Sequence, residues 1–367
     1  MLPKILSRCV LALALFGAVG GTGRATPPGP SAPPAPEPRR IVTDMCGRQV
    51  SLPARIRRVI TAGEGCPAMN AHLFALGQAD TIVNGLPVIP HPPWKYQLVF
   101  APRMSRQPAV APPSGMPFLE VLQGMPHDVV LVKTPLLAHL LSERGFTTAC
   151  LFWRGKEGIV TSIRSLGEIM NCPDRAQAYL DYYQDVVRRV AAREADLPLS
   201  QRRTVLYLQV SPLQAGALST ASTTVLRAGG RYAPLPDLSL ENQVLDPEQL
   251  LVLDPDVILV RNGQEKARLL ADPRFSLLRA VQGRTVVVVP YGALAWTHAT
   301  PEQALGILWL AKLLYPKRFA DVDMAGEARA FYHRFFGTDL TEAQLQDILR
   351  PAPEPPAAGR AEAPPAP

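Results

Sequence analysis

The segment EQLLVLDPDVILVR (Glu248–Arg261) has a near copy, EVLQGMPHDVVLVK (Glu120–Lys133), in the other half of the chain. In each, a glutamate is followed two places on by leucine and eight places on by aspartate. An apolar run ending in a cation then follows. A short, continuous apolar run of this kind is the pattern of a strand buried on both faces of a parallel sheet. Meeting the same unit once in each half predicts two α/β lobes of related construction.

The flanking sequence extends that pattern. RRVITAG reads as a strand, CPAMNAHLFALGQ as a helix with Pro67 at its opening and Gly77 at its end, and DTIVNGL as another strand. TPLLAHLLSERG and FTTACLFW follow the first copy as helix and strand. In the second half RTVLYLQV, STTVLRAGG, GQEKARLLADPRFSLLRAVQG and RTVVVVP repeat the alternation. This order describes two doubly wound lobes, each around a mainly parallel sheet. Between them PDRAQAYLDYYQDVVRRVAAREADL (173–197) has no glycine and strong helix formers. At ~1.5 Å per residue it would span roughly 33 Å, enough for a rigid strut between lobes. Three more helices close the chain, the first expected to be capped by Thr300 with Pro301 at its opening.

The expected organisation is a signal peptide over 1–25, a disordered linker over 26–40, an N-terminal lobe over 41–172, the helix over 173–197, a C-terminal lobe over 198–349 and a disordered tail over 350–367. The signal rests on Lys4 and Arg8 before the short apolar core CVLALALFGAVGG, with Gly23 and Ala25 offering small residues for cleavage. Such a signal, cleaved or kept as an N-terminal anchor, implies an exported protein. Linker and tail each carry seven of the chain's 39 prolines and almost no large apolar side chains. The formal charge of +7 includes Lys4, Arg8 and Arg24, and no Lys/Arg block is interleaved with aromatics. Nucleic acid is not an expected partner. Beyond the signal, Cys46, Cys66, Cys150 and Cys172 lack CxxC spacing, which argues against a metal centre. In an oxidising compartment they suggest disulfides, with three possible connectivities.

No catalytic signature is present: no GxSxG, HExxH or GxxxxGK[ST]. A binding protein without cofactor is expected rather than an enzyme. Ligands of parallel sheets sit at the carboxyl ends of strands, and in two-lobed proteins the groove between lobes is the natural pocket. The strand-terminal segments and the proline-laden loop 86–117 supply the candidates. They are Glu64, Trp94, Tyr96, Arg103, Lys133, Trp153, Arg154, Arg261, Tyr291, Trp296 and His298. Aromatic plates with a few cations suit a large, partly flat anionic ligand, although each aromatic would serve equally well in packing its lobe. Glu120 and Glu248 recur at helix starts, where charge favours the helix dipole. Matching positions on two lobes also suit docking onto a two-fold symmetric partner.

IVTDMCGRQVSLP with RRVITAG, then PAMNAHLFALGQADTIVNGL, SLGEIMNCPDRAQAYLDYY, VLRAGG and LDPEQLLVLDPDVILV, resemble the periplasmic solute-binding proteins of ABC importers for iron–siderophores, vitamin B12 and haem. The resemblance covers roughly 41–320. It implies two lobes joined by one long helix, little closure on binding, a monomer, and delivery of a metal chelate to a permease dimer. By analogy with the vitamin B12 binder, Glu120 and Glu248 would dock onto permease arginines. The C-terminal stretch LGILWLAKLLYPKRFADVD resembles a subset whose ligands include oxyanions such as molybdate. The expected cargo is therefore an iron–siderophore or corrinoid-type chelate. The alternatives are a free metal oxyanion held by hydroxyls and amides around SPLQAGALSTASTT, or chelatase-type chemistry on a His298–Glu64 pair.

Overall fold

The computed structural model describes residues 38–88, 94–112, 116–153, 155, 157–216, 220–237 and 242–351. The expected signal peptide, most of the linker and almost all of the C-terminal tail lie outside the described residues. The linker boundary moves: Arg39 and Arg40, assigned to it from sequence, open the first strand.

Strands β1 (Arg39–Thr43) and β2 (Gln49–Pro53) form an antiparallel hairpin. Next come β3 (Val59–Thr61), helix α1 (Cys66–Ala75), a short α2 (Gln97–Phe100), α3 (Leu119–Gly124), β4 (Val129–Val132), α4 (Pro135–Ser142), β5 (Thr148–Cys150) and α5 (Gly158–Ile169). The first lobe's sheet is parallel, in the order β3-β4-β5. Helix α6 (Pro173–Arg193) is the strut, 21 residues long and ended four residues before the expected limit.

The second lobe continues with β6 (Thr204–Tyr207), β7 (Gln214–Ala215), α7 (Thr220–Arg227), β8 (Arg231–Tyr232), β9 (Gln243–Val244), α8 (Pro247–Leu253), β10 (Val257–Val260), α9 (Gly263–Ala271), α10 (Arg279–Gln282) and β11 (Val286–Val288). Its main sheet is parallel, in the order β11-β10-β6-β8, and β7 pairs with β9 in a small antiparallel ribbon. Helices α11 (Gln303–Leu314), α12 (Met324–Phe336) and α13 (Glu342–Leu349) complete the chain.

The repeated unit behaves as its pattern dictates. All four residues of β4 and of β10 are buried, and successive side chains enter different cores. Val129 and Leu131, like Val257 and Leu259, join one apolar cluster that runs through both lobes and around Tyr179 and Tyr183 of α6. Val130 and Val132 face a second cluster, Ile258 and Val260 a third. Since the largest core is continuous across the strut, the two lobes cannot swing apart without exposing it.

The aspartates of the repeat have a task that spacing alone does not reveal. Asp128 accepts the backbone N–H groups of Arg57 and Arg58 at 2.7 and 2.9 Å, just before β3. Asp256 accepts the N–H of Thr204 at 2.7 Å, at the start of β6. In each lobe the aspartate fastens the beginning of a neighbouring strand to the inner one and so sets the parallel register.

Other expectations need correction. DTIVNGL forms a single 3₁₀ turn and two isolated bridges, Ile82 to Val59 and Gly85 to Ala109, because Asn84 between them turns inward to accept the Thr61 N–H at 2.8 Å. Within the segment read as a loop over 86–117, α2 and the 3₁₀ turn Pro102–Arg106 bury Phe100 and Met104 in the main core. Thr300 does not cap α11; Glu302 occupies that position. The long helix expected over 263–283 is broken at Asp272, which caps a 3₁₀ turn through the Arg274 N–H.

Of the four cysteines, Cys46 and Cys150 form a disulfide across 104 residues. Cys66 is a buried thiol beside Thr61 and Asn70, and Cys172 is a half-buried one. The bridge ties the first hairpin to β5, where buried Asp44 also accepts the Cys150 N–H at 2.9 Å. Closing so long a loop restricts the unfolded chain. Replacing both cysteines by serine is expected to lower stability by about 3–5 kcal/mol in guanidinium unfolding. An unchanged midpoint would show that Asp44 alone holds the hairpin.

Candidate functional site

Each lobe has a cavity at the carboxyl ends of its parallel strands, and the two differ in character. In the first lobe the turn after β3 passes Gly63, whose φ of +79° suits a residue without a side chain. A Cβ there would also lie 2.9 Å from Leu137. This turn carries Glu64 opposite Lys133, the residue after β4, and Lys133 Nζ donates to Glu64 at 3.2 Å. The same ammonium stands 6.0 Å from the ring centre of Trp153, which follows β5 and stacks on buried His72 at 5.0 Å. Glu64, Lys133 and the apolar Met116, Leu136 and Leu137 border a cavity of about 160 Å³.

The second lobe holds a cavity of about 170 Å³ of different character. Tyr207 and Gln209 enter from β6, Arg261 from the end of β10, and His298 from the turn after β11. Thr220 and Ala221, the opening of α7, form another wall, completed by Gln214 and Asn242. Arg261 is fixed by Glu265: its Nε donates to Oε1 at 2.9 Å, and its backbone N–H to Oε2 at 3.1 Å. Glu265 is itself set by Asn262, the α9 cap. The buried hydroxyls of Tyr207 and Thr297 lie side by side without a well-formed hydrogen bond. Among the described residues no carboxylate lines this cavity. It therefore offers guanidinium, amide and hydroxyl donors and a helix opening, the equipment for an oxygen-rich anion.

The sequence candidates divide accordingly. Glu64, Lys133 and Trp153 come together in the first lobe. Arg261 and His298 line the second-lobe cavity, with Tyr291 close enough to interact with the Arg261 charge. Trp296 is wholly buried, its indole N–H donating to Tyr332 at 3.2 Å, so it cannot stack on a ligand. Tyr96 is 5% exposed and donates to Asp347 of α13. An aromatic near a strand end fills the core as readily as it lines a cleft, and these two do. Arg103 stands on the surface 3.9 Å from Asp80, Trp94 is half-buried, and Arg154 lies outside the described residues. Glu120 and Glu248 are exposed in the first turns of α3 and α8. Thr220 lies in SPLQAGALSTASTT, the segment expected from sequence to hold an oxyanion, whereas Tyr207, Gln209 and Asn242 were not singled out, because hydroxyl and amide residues near strand ends and in loops carry no distinguishing spacing.

Contacts that join the lobes include two hydrogen bonds. Arg227 at the end of α7 donates to Glu157, the residue before α5, at 2.7 Å. Gln97 donates to the Ala293 carbonyl at 3.1 Å.

Buried ionisable groups set opposing pH dependences. Burial, joined by Arg261 in one case, pushes His72 and His298 from 6.5 down to about 4. Unfolding lets them take up protons, so stability is full above pH 6.5 and falls toward pH 4. Burial pushes Glu302 and Glu194 from 4.5 up to about 7. Their neutral forms favour the fold below pH 4.5, and that contribution is lost as pH rises through 7. Wild-type unfolding free energy is expected to be level between about pH 4.5 and 6.5 in denaturant titrations. His72→Gln should tilt it downward with rising pH; a level profile in that variant would contradict the assignment.

Comparison with known proteins agrees with this architecture. A family model described as periplasmic binding protein matches residues 71–291. The molybdate-binding protein MolA of Haemophilus influenzae is 25% identical over 344 residues, covering 82% of this chain and 91% of MolA. Its molybdate-bound crystal structure superposes with a TM-score of 0.72 at 22% identity, covering 82% and 99% of the two chains. A periplasmic solute binding protein of Veillonella parvula gives 0.71 at 25% identity, covering 85% and 97%. CeuE of Helicobacter pylori with Ni(II) bound gives 0.67 at 15%, covering 84% and 99%. With two parallel-sheet lobes, a single connecting helix and a family match over more than half its length, the chain belongs to the periplasmic binding protein family.

Proposed function

We propose that this protein is the capture component of an ABC importer, that it takes a small metal oxyanion of the molybdate class in the second-lobe cavity, and that it passes it to a permease dimer. The observation that carries the reading is that cavity of about 170 Å³, walled by donors and without a carboxylate among the described residues. Larger ligands occupy pockets of roughly 300–1,000 Å³. The segment expected from sequence to hold an oxyanion supplies Gln214, Ala215, Gly216 and Thr220 to the wall. The similarity to MolA, a molybdate binder, points the same way.

The second reading is the iron–siderophore or corrinoid chelate. Its support was a set of aromatic plates, and two of the five, Tyr96 and Trp296, are occupied in the core. Trp153 beside the apolar first-lobe cavity is the observation that favours it. Chelatase chemistry has less support: Glu64 is engaged by Lys133, and His298 lines a different cavity.

Calorimetric titration separates these readings. Molybdate and tungstate should bind one per chain, and ferrichrome, cyanocobalamin and haem should give no heat. Saturable binding of a chelate with no response to either oxyanion would reverse the assignment.

A further inference from the structure

The turn that carries Tyr291 and His298 from β11 to α11 is fastened from beneath by one buried side chain. Glu302 Oε1 accepts the Ala293 N–H at 2.8 Å, and Oε2 accepts the Leu294 N–H at 2.9 Å. The Tyr332 hydroxyl donates to Oε1 at 2.6 Å while receiving the Trp296 indole N–H. One carboxylate thus holds the turn at two consecutive amides and, through Tyr332, at Trp296. The fit is close: a Cβ at Gly292 would lie 1.9 Å from Glu302 Oε1 and 2.1 Å from Tyr332 Oη, so only glycine can occupy that place.

From the opposite side the turn is tied to the first lobe. The Ala293 carbonyl accepts from Gln97 Nε2, which also donates to the Pro67 carbonyl at 2.8 Å. Gln97 Oε1 in turn accepts from Asn70 of α1 at 3.0 Å. Gln97, Asn70 and Glu302 are all wholly buried. Among the described residues Glu302 forms no ion pair; the other ionisable groups facing it are Tyr332 from α12 and Tyr179 from α6.

A buried acid without a cation is an expensive way to fill space. What it supplies is two acceptor oxygens for two adjacent N–H groups, which no neutral side chain matches. Glutamine would offer one oxygen and set its own N–H against the other amide. We infer that Glu302 is a positioning residue of the ligand site: acting through the turn 291–298, its carboxylate sets where His298 meets the cavity, and Gln97 relates that turn to the first lobe. The inference rests on reading the second-lobe cavity as the ligand site.

Amide hydrogen exchange at Ala293 and Leu294 tests the inference without ligand. After correction for intrinsic rates, exchange in the wild type should quicken as pH falls through about 7, because a protonated acid is a poorer acceptor. In Glu302→Gln the exchange should be fast and insensitive to pH, and molybdate affinity should fall about tenfold, the loss of one hydrogen bond. Wild-type exchange or wild-type affinity in the folded variant would overturn the inference. Should that variant fail to fold, Gln97→Met decides: weaker molybdate binding with Ala293 and Leu294 still protected supports it, and unchanged binding overturns it. Failure of the wild type to bind molybdate sinks the ligand reading instead, and leaves the exchange profile to judge Glu302 by itself.

Discussion

Cells carrying Glu120→Arg together with Glu248→Arg are expected to take up no molybdate, although the purified double variant binds it as tightly as the wild type. Both glutamates are exposed in the first turns of helices that precede the inner strands of their sheets. Each contributes only ~0.3–1 kcal/mol to its helix through the dipole, so folding should survive. Neither lines the first-lobe or the second-lobe cavity. At a docked interface the reversal sets like charges together at two places, and each costs about 2–5 kcal/mol. Together they would weaken docking by more than about a thousandfold. Uptake of labelled molybdate, with calorimetry on the same variant, gives the answer. Retained transport would remove both residues from the docking role, and lost affinity would show that they act on the ligand instead.

Arg261→Met is expected to weaken molybdate binding by about a hundred- to a thousandfold. The guanidinium is the only cationic side chain among the described residues that line the second-lobe cavity, and its position is fixed by Glu265. Losing a charge-assisted contact to a desolvated anion costs about 3–4 kcal/mol. A confounding effect is foreseeable, since Glu265 is 5% exposed and would be left as a buried charge without its partner. Arg261→Met with Glu265→Leu removes both charges. That pair should recover the stability lost by the single variant while binding stays absent. Recovery of binding along with stability would mean that Arg261 is structural.

How far the sequence revealed this molecule depends on the residue asked about. The repeated unit was legible because burial on both faces of a parallel strand demands an unbroken apolar run, and Val129–Val132 and Val257–Val260 supply it. The strut was legible because nothing in 173–193 interrupts a helix. The aspartates of the repeat were not, since Asp128 meets residues 70 and 71 places away and Asp256 one 52 places away. Such pairing leaves no local trace. The site was only half legible. Arg261 and Lys133 follow directly from their strands, whereas Trp296 and Tyr96 were misread for want of the helices that cover them. Those covers, α12 and α13, come from the far end of the chain. Glu302 escaped for the same reason: in the sequence it looks like one more acid in a helix's first turn.

What the protein carries when isolated from its own compartment tests the molybdate assignment most directly. Native mass spectrometry with elemental analysis of the periplasmic protein should find one molybdenum or tungsten atom per chain and no bound organic mass. Iron or cobalt accompanied by the mass of a chelator would contradict it.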